Sequence, residues 1–298
     1  MTASAQTRAR HSPCIGVCKL DEQSGFCLGC GRTGGEIGVW STLGGSERDA
    51  IWAELPERLK ALAVRVRLLP LLGEEIRDWV AETITARKGT WVTGMPGGAA
   101  EFPCLAGREA AVETGSDFVV GRAQDANFRL RITDKVRAFA FEDDGPIVLG
   151  FPRGRVTLVT ASVFTPLGSD IDAIDEKHST HELFEFGLGR RASRFCVRTD
   201  DPALIATLRT FSGKPWAEML AQAGAEIIAK SPARVVESQL ARIEVFSPIP
   251  PPGGTSSSGA HTHLLPQFLA TGEEIPAALS LPDYAAPLAI FYPGKPPA

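Results

Sequence analysis

Four of the six cysteines, Cys14, Cys18, Cys27 and Cys30, are crowded near the start of the chain with the spacing C-x3-C-x8-C-x2-C. Thiolate is a soft, anionic ligand suited to zinc and to iron–sulfur clusters, and two close pairs can bring four sulfurs round one centre. Gly29 and Gly31 flank Cys30. They let the backbone turn tightly and aim amide groups at the sulfurs. A redox C-x-x-C pair would sit at a helix start after a strand, and neither flank reads that way. Four unligated thiols are the bland alternative, and the pairing favours ligands over it. Spacing alone leaves Zn2+ and an iron–sulfur cluster both open.

The histidines are the other concentration of chemistry. Of five, four form two pairs, His178 with His181 and His261 with His263. The i, i+3 spacing of the first places both on one helical face, and the i, i+2 spacing of the second places both on one strand face. Meeting in space, they would offer up to four imidazoles to zinc or iron, with Asp175, Glu182 or Glu185 as ligand or supporting carboxylate. Apart, they would cap a loop and decorate an acidic segment. The H-x-H resembles part of the cupin metal motif, but the next carboxylate in sequence is Glu273, so cupin chemistry is not carried over. Cys104 and Cys196 lie in apolar runs without partner spacing and read as buried thiols. Nucleophile-elbow, Walker and dinucleotide fingerprints are absent.

The elements that must hold these groups divide at Arg67 to Glu75, where Pro70 and Gly73 interrupt the pattern. Before it, Thr33 to Glu36 has capping-box spacing. Ser46 to Asp49 has the looser S-x-x-D form, opening a helix with Ile51, Trp52, Leu55, Leu59 and Leu62 on one face and a kink expected at Pro56. A module this small buries little apolar surface, and a bound metal would staple it. Beyond the boundary, Ile76, Trp79, Val80 and Ile84 predict an amphipathic helix. Period-two alternation over 117–161 then predicts antiparallel strands at Phe128 to Ile132, Val136 to Phe141, Ile147 to Phe151 and Val156 to Val159. Arg129 and Arg131 read as a solvated sheet face. A strand at Arg194 to Arg198, a helix capped by Asp201 and Pro202, a helix over Trp216 to Ile228 and a strand at Ala241 to Phe246 follow. The fold class is therefore α+β: a four-cysteine helical module over 12–69, then a larger antiparallel-sheet domain with packed helices over 74–292.

The stretch Ser12-Pro13-Cys14, Gly16, Cys18, Cys27 to Arg32, Glu36-Ile37, Trp40, Glu47-Arg48 and Trp52 to Leu55 resembles a small four-cysteine bacterial domain of unknown function described as a predicted iron–sulfur protein. The resemblance covers about residues 12–62. It implies a metal or cluster on Cys14, Cys18, Cys27 and Cys30, and no reaction. Segments around Leu183 to Gly189, Cys196 to Pro202 and His261 to Pro266 resemble an uncharacterised bacterial family, from which no activity carries over.

Charge narrows the function classes. The net charge is -4, with 9 basic and 7 acidic residues through residue 72 and 22 against 28 after it. Nucleic-acid binding thus gains no support from the field of the protein. The most apolar run, Leu59 to Leu72, is interrupted by charges and too short for a bilayer, and no apolar segment follows Arg8 and Arg10 before Cys14, so the expectation is a cytoplasmic chain without a membrane partner. The function expected is a metal-binding protein whose large domain takes a protein or small-molecule partner. The alternative is a metal-dependent enzyme centred on the histidines.

Overall fold

The computed structural model describes residues 12–14, 20–27, 29–62, 67–141, 145–252, 254, 259–270, 281 and 284–294. Helix α1 (Gly34–Val39) and a 3-10 turn (Trp40–Thr42) lead into α2 (Gly45–Ala61), then the two-residue strand β1 (Arg67–Leu68) and α3 (Glu74–Thr85). Seven strands follow: β2 (Gly89–Met95), β3 (Gly98–Cys104), β4 (Ala110–Thr114), β5 (Phe118–Ala123), β6 (Ala126–Arg131), β7 (Arg137–Ala140) and β8 (Ile147–Pro152). Next come β9 (Thr165–Ser169), β10 (Glu182–Glu185) and β11 (Ser193–Thr199), the helices α4 (Pro202–Arg209) and α5 (Trp216–Lys230), and β12 (Ala233–Ser238) with β13 (Ala241–Val245). The chain closes with β14 (Thr262–Leu264), α6 (Pro266–Leu269) and β15 (Ala285–Tyr292). The class is α+β, and no helix among the described residues is long and apolar enough to cross a membrane.

The strands form two wholly antiparallel sheets, ordered β1-β7-β8-β15-β2-β3-β14 and β4-β5-β6-β13-β12-β11-β10-β9. They stack with β11, β12 and β13 across from β2 and β3. Between them lie Trp91, Phe102, Phe128, Phe195, Val236 and Ile243, all buried. The Trp91 and Phe128 rings stack at 5.3 Å, and the Trp91 indole N–H donates to Thr83 Oγ1 at 2.9 Å, which satisfies the one polar atom so buried. Helix α3 closes one side through Ile76, Val80 and Ile84, and α4 with α5 contribute Leu204, Leu208, Met219 and Ile227 to the same core.

The outer face of the seven-stranded sheet is also apolar, and the N-terminal module covers part of it. Trp40, Trp52, Leu55 and Leu59 form one cluster with Phe139, Val148, Ala285 and Ile290. Arg67 and Leu68, read from sequence as the start of the boundary, instead pair with Ala140 and Phe139 and extend this sheet. The Thr33 capping box forms as expected, with Glu36 N–H donating to Thr33 Oγ1 at 3.2 Å and Thr33 N–H to Glu36 Oε2 at 2.8 Å. Helix α2 starts earlier than expected: Gly44 is its cap and Glu47 Oε2 accepts the Gly44 N–H at 2.7 Å, so Ser46 lies inside the first turn. Pro56 lies within this helix, which runs on to Ala61.

The outer face of the eight-stranded sheet departs from the expected solvated surface. Arg198, Arg242, Glu244 and Glu237 line it and are buried, beneath a loop that carries Asp170. Arg198 Nη1 lies 2.8 Å from Asp170 Oδ2 and 3.0 Å from Glu244 Oε2. Arg242 reaches Asp170, Glu237 and Glu244. Of the pair expected in solvent, Arg131 is exposed, whereas Arg129 is half-buried, donates to the Asp172 carbonyl at 3.0 Å, and has its pKa held below the ordinary value by burial. Charges so placed persist only when each is matched, because removing one partner strands the others in a low dielectric. Asp170→Asn should therefore lower the unfolding free energy by about 3–5 kcal/mol in urea titration, well beyond an ordinary surface change.

Candidate functional site

Three cysteines of the predicted set lie within the described residues, and Cys18 lies outside them. Cys27 and Cys30 are buried at 3% and 1% exposure. The turn is tight: Gly31 N–H donates to the Cys27 carbonyl at 2.7 Å, and Gly31 has φ +73°, a conformation that suits glycine. A hydrogen bond with Cys30 holds the Cys27 thiol below its ordinary pKa, with help from the Gly29 and Cys30 amides, while the same bond and burial push Cys30 up. Arg32 Nε donates to Cys30 Sγ at 3.4 Å, and its guanidinium sits 4.5 Å from the Trp40 ring centre. Arg58 ties the turn to α2, bonding Glu36 at 2.6 Å and 2.9 Å and the Gly31 carbonyl at 3.4 Å.

The third cysteine arrives by way of the large domain. Arg137, 1% exposed on β7, donates to the carbonyls of Ser12 at 2.7 Å and Cys14 at 3.0 Å. Its other partners are the Asp134 and Val136 carbonyls. Among the described residues no carboxylate pairs with Arg137 or with Arg32. Burial lowers the Arg137 pKa to about 10, and the charges of Cys14, Asp134 and Cys30 oppose that shift. Tyr284 closes the neighbourhood from the C-terminal end: burial raises its phenol pKa, and Cys27 and Cys30 add to the effect.

The two histidine pairs form separate sites and do not offer four imidazoles to one ion. His178 ends a 3-10 turn, Glu176–His178, where a shared helical face had been expected. Its ring lies 5.2 Å from that of His181. His178 Nδ1 faces Arg198 Nη2 at 3.2 Å and must accept there, since guanidinium only donates. Burial and the Arg198 charge lower its pKa. His181 Nε2 is 3.6 Å from Asp200. Of the supporting carboxylates named from sequence, Asp175 binds Arg122 at 3.1 Å and Asn127 at 3.2 Å, and Glu182 lies 3.2 Å from Arg209. Glu185 is buried with its pKa raised by desolvation.

His261 precedes β14 and His263 lies within it, their rings 4.5 Å apart. Pairing of β14 with β3 sets His263 opposite Ala99 and brings Glu101 beside both imidazoles. His263 Nε2 is 3.1 Å and His261 Nε2 is 3.5 Å from the two Glu101 oxygens. Glu101 stands 162 residues before His263, so nothing local in the sequence points to it. Beside these groups an apolar cavity of about 270 Å³ opens on the outer sheet face, lined by Val92, Met95, His263, Leu288, Ile290 and Tyr292 among others. Cys104 and Cys196 are buried, and desolvation raises both, Cys104 to about 12. Neither has the lowered pKa of a nucleophile.

A family model described as "Family of unknown function (DUF6925)" matches residues 75–298. A second, described as "Protein of unknown function (DUF1289)", matches residues 12–59. A small N-terminal domain is thus fused to a larger one. No curated protein and no solved structure matches the chain.

The lowered pKa of His178 has a defined sign. The unfolded chain takes up a proton near the ordinary histidine value of about 6.5, while the folded chain resists it, so stability falls as pH drops through that range. Glu237, also lowered, extends the loss to more acid pH. Urea midpoints should decline from pH 7.5 to pH 5, and His178→Gln should flatten that slope between pH 7 and pH 5.5.

Proposed function

We propose that this chain, which belongs to the family of unknown function whose model spans residues 75–298, is a cytoplasmic metal-binding protein. In this reading Cys14, Cys18, Cys27 and Cys30 hold Zn2+ or an iron–sulfur cluster in a structural module. The module rests on an α+β domain that binds a protein or small-molecule partner. The observation that carries the reading is that, among the described residues, two buried guanidinium groups, Arg32 and Arg137, bond to sulfur and carbonyl groups and to no carboxylate. Buried cations need a counter-charge. Four thiolates round a divalent ion carry a net charge of about −2, which two arginines would offset.

The turn chemistry supports the same reading. Cys27 and Cys30 have glycine-rich flanks and amide groups directed at sulfur, the arrangement that tunes thiolate ligands. The tryptophans of the module share one apolar cluster with its own leucines and with Phe139, Val148 and Ile290 of the large domain. Metal binding in small structural sites is worth on the order of 10–16 kcal/mol, enough to hold such a module in its docked form. The cavity on the outer sheet face supports a ligand- or partner-binding role for the large domain, since such sites are concave and mostly apolar.

Anaerobic purification followed by metal analysis and a visible spectrum tests the reading. Either one zinc in colourless protein or iron with sulfide absorption is expected. Cys30→Ser should abolish that metal and lower the melting temperature by several degrees. Wild-type protein without thiolate-bound metal would overturn it.

A further inference from the structure

Glu101, His261 and His263 are arranged as a divalent-metal site that the cysteine module does not need. Among the described residues they are the one group of three metal-ligating side chains with all ligand atoms within 4.8 Å of one another. Strand geometry explains the convergence. Glu101 N–H donates to the His261 carbonyl at 2.9 Å, and residues two apart on a strand share a face.

Both imidazoles turn Nε2 toward the Glu101 carboxylate. His261 Nδ1 lies 3.2 Å from the Gly259 carbonyl, an acceptor, so that nitrogen carries the proton. The ring then turns its Nε2 toward Glu101 Oε2 at 3.5 Å. That carboxylate oxygen is buried and makes no hydrogen bond, the 3.5 Å approach being an ion-pair distance only. A carboxylate oxygen buried without a hydrogen-bond donor is costly, and a cation held between it and the imidazoles would offset that cost. A backbone carbonyl holding Nδ1–H is also the usual way a protein fixes an imidazole to ligate through Nε2.

The spacing suits a first-row transition ion. Ligands about 2.1 Å from such an ion are about 3.0–3.4 Å apart along the edges of an octahedron or tetrahedron. The Glu101–His263 and Glu101–His261 separations are 3.1 Å and 3.5 Å. Imidazole donors favour zinc, iron, nickel or copper over magnesium and calcium. We propose that Glu101 and the Nε2 atoms of His261 and His263 bind one divalent first-row transition ion, leaving coordination positions for water or an oxygen donor. His263 also lines the apolar cavity, so an oxygen-bearing ligand with an apolar body could occupy both.

Calorimetric titration of Co2+ into the full-length chain, with its native thiolate-bound metal in place, tests this site apart from the cysteines. One equivalent should bind, remain after desalting, and be retained by Cys30→Ser. Removing groups that merely support a ligand costs 10–100-fold, so Glu101→Gln and His261→Ala should each weaken Co2+ binding at least about 100-fold. The metal on the cysteines should be unchanged in both. His263→Ala, altering a ring 41% exposed, gives the same readout should either variant fold poorly. No Co2+ uptake by wild type, or unchanged affinity in these variants, overturns the proposal.

Discussion

Both faces of the seven-stranded sheet are apolar, and the rest of the molecule is arranged to cover them. The inner face meets the second sheet through Trp91 and Phe102, which stand opposite Phe128 and Ile243. The outer face is shared between two occupants. Over β7, β8 and β15 the tryptophans and leucines of the N-terminal module cover it, and over β2, β3 and β15 it lines an open cavity. Apolar area removed from water contributes roughly 25 cal/mol per Å², so leaving such a face bare would be costly. This gives the small module a role as a layer of the fold as well as a carrier of cysteines.

Charge burial follows the same division. On the outer face of the eight-stranded sheet, Asp170, Glu237 and Glu244 match Arg198 and Arg242 carboxylate to guanidinium. At the cysteine turn, Arg32 and Arg137 instead meet sulfur and backbone oxygens. At β14, Glu101 faces histidines and leaves one oxygen without a hydrogen bond. The first set matches charge with charge, although Arg198 Nε and Glu244 Oε2 make no hydrogen bond. Among the described residues the other two lack a matching carboxylate or a hydrogen-bond donor, the features on which the proposed metal sites rest.

Elements with strong local periodicity were legible in the sequence. The expected helix at Ile76 to Ile84 lies within α3, the Asp201 cap accepts the Leu204 N–H at 2.9 Å, and the strands near 128, 137, 147, 194 and 241 all form. The expected strand at Val156 to Val159 does not: the chain there makes a 3-10 turn and one bridge, Val159 to Arg191. The hairpin turn that Asp143, Asp144 and Gly145 predict between the strands at 136–141 and 147–151 falls largely outside the described residues. The β2–β3 hairpin escaped notice because its alternation is written in glycine and alanine. Gly94, at φ +111°, leaves no space for a Cβ beside the Gly98 carbonyl, so the side chain that would reveal the period is missing. Short strands such as β9, β10 and β14 carry too few residues for any period to show.

Residue type and spacing alone determined the α+β class, the cysteine ligand set as an expectation and the strand-face placement of His261 with His263. These properties are local, resting on side-chain chemistry and on the two- and 3.6-residue repeats of the backbone. Only the tertiary structure decided that the two histidine pairs stay apart, that Arg129 packs half-buried beside a charged lattice, and that Glu101 and Arg137 belong to the candidate sites. Each of these depends on which strand lies beside which. Antiparallel pairing brings residues 162 apart in sequence to 3.1 Å in space, and no repeat within either segment encodes that partner.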